Sequence, residues 1–185
     1  AAIYDANGKL IANVPESDFI ITPYSEAGKA SNSQIKNNLE TSYNQIKAAN
    51  RFTDLCPDVE SAVKKYSSSV SVDDLVAKDL FDVYVAGEYA DYLGKDGNYI
   101  ETTFSLSYDS SALACVLQFV NGEWVVVPAE NIIRNGSNVT LRLNNAGPVV
   151  FLYDNGELQA ADPSAPKSPN TGEMHITAPS MIAAA

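Results

Sequence analysis

The sequence predicts a mainly β chain of α+β class: an antiparallel, Ig-like β-sandwich with a two-helix insertion and a disordered C-terminal tail. Three observations predict it. Short apolar runs are punctuated by Asn-Gly and Asp-Gly pairs, the strongest local hairpin signals. Several of these runs alternate apolar and polar residues with period two. One stretch, at about 31–68, instead carries apolar residues at helical spacing. Residues 1–158 are therefore read as a single sandwich domain with that insertion, and 159–185 as a Pro-rich linker.

The clearest hairpin lies between Ala112 and Pro128, where two apolar runs flank Asn121-Gly122. A two-residue turn there sets Phe119 against Trp124, Leu117 against Val126 and Cys115 against Pro128. Val116, Gln118, Val120, Glu123 and Val125 take the other side. The only tryptophan is then expected in the interior between two sheets, beside Phe119.

From the start of the chain, Ile3 to Ile11 around Asn7-Gly8 reads as a short hairpin, and Phe19–Thr22 as a strand ended by Pro23. A polar stretch follows from Ser25 to Ser33. Ser31 and Gln34 have capping-box spacing, and Ile35, Leu39, Tyr43 and Ile46 fall on one helical face, so a helix is expected over Ser33–Asn50. Pro57 suits the first turn of a second helix, with Val59, Ala62, Val63 and Tyr66 facing inward and Ser67-Ser68-Ser69 ending it. Ser71 and Asp74 repeat the capping spacing. Leu80–Val85 reads as a strand with Phe81, Val83 and Val85 on one face; a helix over Asp73–Val83 competes with that reading.

After Asp96-Gly97, Ile100, Thr102, Phe104, Leu106 and Tyr108 share one face of a strand. Asn135-Gly136 separates Ile132-Ile133 from the alternating Val139–Leu143. The last strand is Val149–Tyr153, preceded by Pro148 and closed by Asn155-Gly156.

The 185 residues carry 12 basic and 23 acidic side chains, a formal charge of −11 that disfavours nucleic acid and anionic membrane surfaces as partners. No apolar span is long enough to cross a bilayer. The Ala-Ala start, with neither Met nor signal peptide, reads as a mature or recombinant segment, from which export cannot be read. Cys56 and Cys115 are too few for a disulfide scaffold; one bridge in an oxidising compartment and two reduced, buried thiols both remain open. Cys and His spacing suggests no metal, and no cofactor is expected.

Two features carry a family resemblance. Val116–Pro128, then Val139-Thr140-Leu141 and Gly147-Pro148-Val149-Val150-Phe151, resembles the membrane-proximal sandwich domain of Firmicutes surface proteins, over roughly 81–154. Ser168-Pro169-Asn170-Thr171-Gly172 resembles the Leu-Pro-x-Thr-Gly sorting signal read by sortases, with Ser168 in place of leucine. The resemblance implies that Pro169 kinks the chain and that the Thr171–Gly172 bond is broken by the sortase thiol. It implies an extracellular, cell-wall-anchored protein of a Gram-positive bacterium, with sortase and peptidoglycan as partners. Ile176, Ala178, Met181, Ile182 and Ala183–Ala185 are then expected to begin the apolar anchor.

For activity, three readings stand side by side. A catalytic one is poorly supplied: the single histidine, His175, lies beyond the Thr-Gly pair, leaving only carboxylates such as Asp73, Asp74, Asp79 and Asp82 for a glycan-hydrolysing site. A binding one rests on Tyr84, Tyr89, Tyr92 and Tyr99, with Tyr108 nearby, as a candidate face for a host glycan or protein. Asp96 and Asn98 offer oxygen atoms to calcium without EF-hand spacing. A structural one makes the domain a spacer, in which Lys9 or Lys78 is a candidate for an isopeptide bond. The expectation is a monomeric, non-enzymatic adhesive or spacer module.

Overall fold

The computed structural model describes residues 1–158. The sorting-type motif Ser168–Gly172 and the stretch after it lie outside those residues. The chain opens with a hairpin of β1 (Ala2–Tyr4) and β2 (Leu10–Asn13), turned at Asn7-Gly8. β3 (Phe19–Pro23) leads into a 3-10 turn over Tyr24–Lys29 and then a helical layer: α1 (Ser33–Ala48), α2 (Phe52–Leu55) and α3 (Val59–Tyr66). β4 (Leu75–Val85) returns beside β3. A one-turn helix, α4 (Gly87–Ala90), precedes β5 (Tyr99–Ser105). Hairpins β6 (Leu113–Val120) with β7 (Glu123–Val126), and β8 (Ile132–Asn135) with β9 (Asn138–Leu143), follow. The last strand is β10 (Gly147–Asp154).

Two antiparallel five-stranded sheets result, with orders β2-β1-β5-β9-β8 and β3-β4-β10-β6-β7. They form a β-sandwich. Between them lies a core that includes Ile3, Phe81, Phe104, Val139, Val149 and Phe151. Phe81, Phe104 and Phe151 meet edge to face, with centroids 5.1 to 5.9 Å apart. A second core lies on the opposite face of the β10 sheet, where Leu80, Leu117, Trp124, Val150 and Leu152 pack against Ile35, Leu39, Ile46, Val59 and Val63 of the helices.

This second core corrects the expected place of Trp124. The register is as the Asn-Gly turn dictates: Phe119 opposite Trp124, Leu117 opposite Val126. That face looks to the helices, however, and it is Val116 and Gln118 that face the other sheet. Trp124 Nε1 donates to Gln45 Oε1 of α1 at 2.9 Å, and its ring lies 5.3 Å from that of Phe119.

Local signals account for the helical layer. Asn32, one residue closer than Ser31, caps α1 by accepting from the Gln34 amide at 2.9 Å, and the helix ends at Ala48, two residues short of Asn50. Tyr43, expected on the buried face, lies at its border and stacks on Tyr24 with centroids 4.2 Å apart. The four-residue α2 was not legible; Asp54 stabilises its start by accepting from the Arg51 amide. The Ser71–Asp74 capping box forms as read, and β4 begins directly after it at Leu75, so no helix runs through Asp73–Val83. A bulge at Lys78, where Ala77 pairs with Leu152 and Asp79 with Phe151, switches the faces along β4. Leu75 and Ala77 face the helices before it; Phe81, Val83 and Val85 face the sandwich interior after it.

Gly147 opens β10 at φ +127°, and a Cβ there would stand 2.9 Å from the Phe119 carbonyl oxygen. Gly147→Ala is expected to cost about 2 kcal/mol through backbone strain and that contact. Urea unfolding checks it: an unchanged midpoint would show that the β9–β10 turn relaxes freely.

Candidate functional site

The outer face of the β5 sheet is bare, because the helices cover only the other sheet. Register decides what it presents. Tyr4 pairs with Tyr99 and Glu101 with Arg142, so these four side chains share the face opposite the buried Ile3, Ile100 and Leu141. The Tyr4 and Tyr99 rings stack with centroids 5.6 Å apart, and the Arg142 guanidinium lies 5.4 Å from the Tyr99 centroid. Arg142 Nε donates to Glu101 Oε1 at 2.8 Å, which fixes the guanidinium over the ring and raises the arginine pKa.

Tyr99 and Arg142 line a cleft of about 440 Å³ with Asn7, Gly8, Gly97, Asn131 and Asn144. Its rims are held by tight turns. Asp5 Oδ1 accepts from the amides of Asn7 and Lys9, both at 2.9 Å, and so shapes the β1–β2 turn. Asp96 and Gly97 both have positive φ, at 51° and 78°, and lead into β5. The Asn144 side chain donates to the Asn98 carbonyl at 2.9 Å, and Asn98 donates to the Tyr92 carbonyl at 2.9 Å. The cleft combines an aromatic platform with amide groups and a guanidinium on preset backbone. Such a lining suits a ligand with one apolar face and a rim of hydroxyls.

The tyrosines singled out by sequence are distributed differently. Tyr99 stands in the cleft, and Tyr92 is exposed without lining it. Tyr89 packs on the edge of the sandwich core, while Tyr84 turns toward the helical core on the other sheet. Tyr108 meets Tyr153 edge to face, with Lys78 Nζ 5.8 Å from its centroid. The partner that completes the platform, Tyr4, was missed. Its only sequence signal is its position before Asn7-Gly8 in the opening hairpin, and the β1–β5 pairing that joins it to Tyr99 is long-range.

The four aspartates do not converge. Asp73 makes a two-pronged pair with Arg51 at 2.9 and 3.0 Å, and Asp74 accepts from the Ser71 amide. Asp79 is enclosed in the sandwich, accepting from Ser107 Oγ at 2.6 Å and from the Tyr153 hydroxyl at 2.5 Å. Asp82 lies on the opposite side of β4, beneath α1. Asn98 is buried and bonded, and among the described residues no three His, Cys, Asp or Glu side chains are grouped to hold a metal. Lys9 is exposed in the first turn. Among the described residues, no helix is long and apolar enough to cross a membrane.

Fold and cleft together define the chain as a two-sheet β-sandwich, backed by helices on one side and presenting an aromatic cleft on the other. Comparison with family models, curated proteins and solved structures finds no match to it.

Proposed function

We propose that this chain is a non-catalytic adhesive module of a Gram-positive surface protein, binding a neutral glycan in the Tyr99–Arg142 cleft, beside which Tyr4 stacks on Tyr99. The observation that carries the reading is the stacked tyrosine pair on a bare sheet face, with a guanidinium held against it and amides around it. The C–H face of a sugar ring packs on an aromatic surface, and flat polar groups match adjacent hydroxyls with paired hydrogen bonds. Arg142 is already charge-paired with Glu101, which favours an uncharged sugar over an acidic one.

The surface address rests on the resemblance of Ser168–Gly172 to a sorting signal and of 81–154 to a membrane-proximal domain. In this reading a sortase cleaves after Thr171 and joins the chain to peptidoglycan. Incubation of the chain with a sortase and a peptidoglycan-type amine should release a fragment beginning at Gly172; Thr171→Ala should abolish that release.

Glycan-array binding tests the cleft. Tyr99→Ala and Arg142→Ala are each expected to weaken binding about tenfold or more, with thermal unfolding little changed because both side chains are part-exposed. Binding that survives both substitutions places the ligand elsewhere. An array with no ligand at all favours the spacer reading, and turnover of a bound glycan favours a hydrolase.

A further inference from the structure

The two cysteines come together in the helical core. Cys56 sits in the connection between α2 and α3, in extended backbone (φ −149°, ψ 110°), and its carbonyl accepts from the Val59 amide at 3.2 Å. Cys115 lies on the face of β6 that α3 covers. It lines the same groove as Asp58, Ser61 and Ala62, so the first turn of α3, which begins three residues beyond Cys56, stands over it. Each cysteine is 3% exposed, and both belong to one packed cluster. The thiols are unbridged in this structure.

We propose that Cys56 and Cys115 form a disulfide when the chain folds in an oxidising compartment, clamping the helical layer to the β10 sheet. Cys56 is well placed to adjust, because it lies in an extended connection rather than inside a helix. The step requires a small disulfide oxidant such as glutathione disulfide. One protein thiolate attacks it to give a mixed disulfide and one free thiol; the second thiolate then displaces the other half. Two S–H bonds and the oxidant's S–S bond are lost, one protein S–S bond forms, and both protons end on the two released thiols. Timing follows from burial. Burial, and after it the nearby Cys56, push the Cys115 thiol up to about 12, so Cys115 is held as the thiol once folded, and both sulfurs are shut away from an oxidant. Exchange therefore belongs to the stage before α3 seals β6. The inference is independent of the glycan cleft, which lies on the other sheet.

The test refolds reduced, unfolded 1–185 chain in a glutathione redox buffer, then alkylates it in denaturant and measures intact mass. The expected product is a monomer lighter by two hydrogens that takes no label. Its thermal midpoint should lie about 5–10 °C above that of the reduced form. Folded, reduced protein given the same buffer should oxidise far more slowly. Cys56→Ala and Cys115→Ala should each leave one labelled thiol. Two labelled thiols, glutathione adducts or bridged dimers as the main products would overturn the proposal. If the variants do not fold, peptide mapping of the unreduced wild type decides: a linked Cys56–Cys115 peptide supports the bond and its absence refutes it.

Discussion

Trp124→Ala is expected to destabilise the chain by about 3–5 kcal/mol and to loosen the helical layer before the sandwich. The indole is 6% exposed, packs against Phe119 and bonds to Gln45 of α1, so its removal leaves both a cavity and an unpaired amide. Hydrogen exchange locates the damage. Amides of α1 and α3 should lose protection first, while those of β5 and β9, on the far sheet, should change least. Loss concentrated in β5 and β9 would mean that the tryptophan belongs to the inter-sheet core after all. Gln45→Ala should reproduce the effect weakly, at about 1 kcal/mol.

The second large effect is electrostatic and has the opposite sign. Asp82 is 1% exposed between β4 and α1; its Oδ1 accepts from Asn38 Nδ2 at 3.1 Å, and its Oδ2 has no hydrogen-bond partner among the described residues. Thr22 stands opposite it on β3 and Pro148 on β10, and neither brings a charge. Burial therefore pushes its pKa from 3.8 to about 7, against a smaller lowering by Asn38. Between those values the folded chain holds a proton that the unfolded chain has released. Stability must then fall as pH rises from about 4 to about 7 and stay low above that. Asp82→Asn mimics the protonated acid. It should match the wild type near pH 4 and exceed it by about 4 kcal/mol at pH 8. Urea midpoints measured at both pH values check this, and a wild-type profile that is flat across the window would refute it.

Much of the fold was legible because turn chemistry and alternation are local. Asn7-Gly8, Asn121-Gly122 and Asn135-Gly136 each close a hairpin, and β5 and β9 alternate because one of their faces meets water. The layer beyond the sandwich is also written in the chain, in the composition of two strands. β6 and β10 are apolar at nearly every position, LACVLQFV and GPVVFLYD, which is the pattern of strands buried on both faces. Reading that pattern would have put Trp124 under the helices. Two bulges obscured it further: Lys78 in β4 and Ala114 in β6 each shift the parity by one.

The candidate site was half visible. Tyr99 could be named because tyrosines crowd that segment, but spacing along the chain cannot show that Tyr84 lies on another sheet or that Tyr4 stacks on Tyr99. Those facts depend on which strands become neighbours. Arg142 was invisible for the same reason: its role comes from lying diagonally across from Tyr99 on the next strand, anchored by Glu101.

The final strand is the middle one of its sheet. β10 lies between β4 and β6, and the pairs β3–β4 and β6–β7 have no ladder to one another without it. A nascent polypeptide thus has both strand pairs made and no ladder between them until Asp154 has been synthesised. The closing of that sheet is therefore the last pairing the domain makes, and it joins segments far apart in the chain.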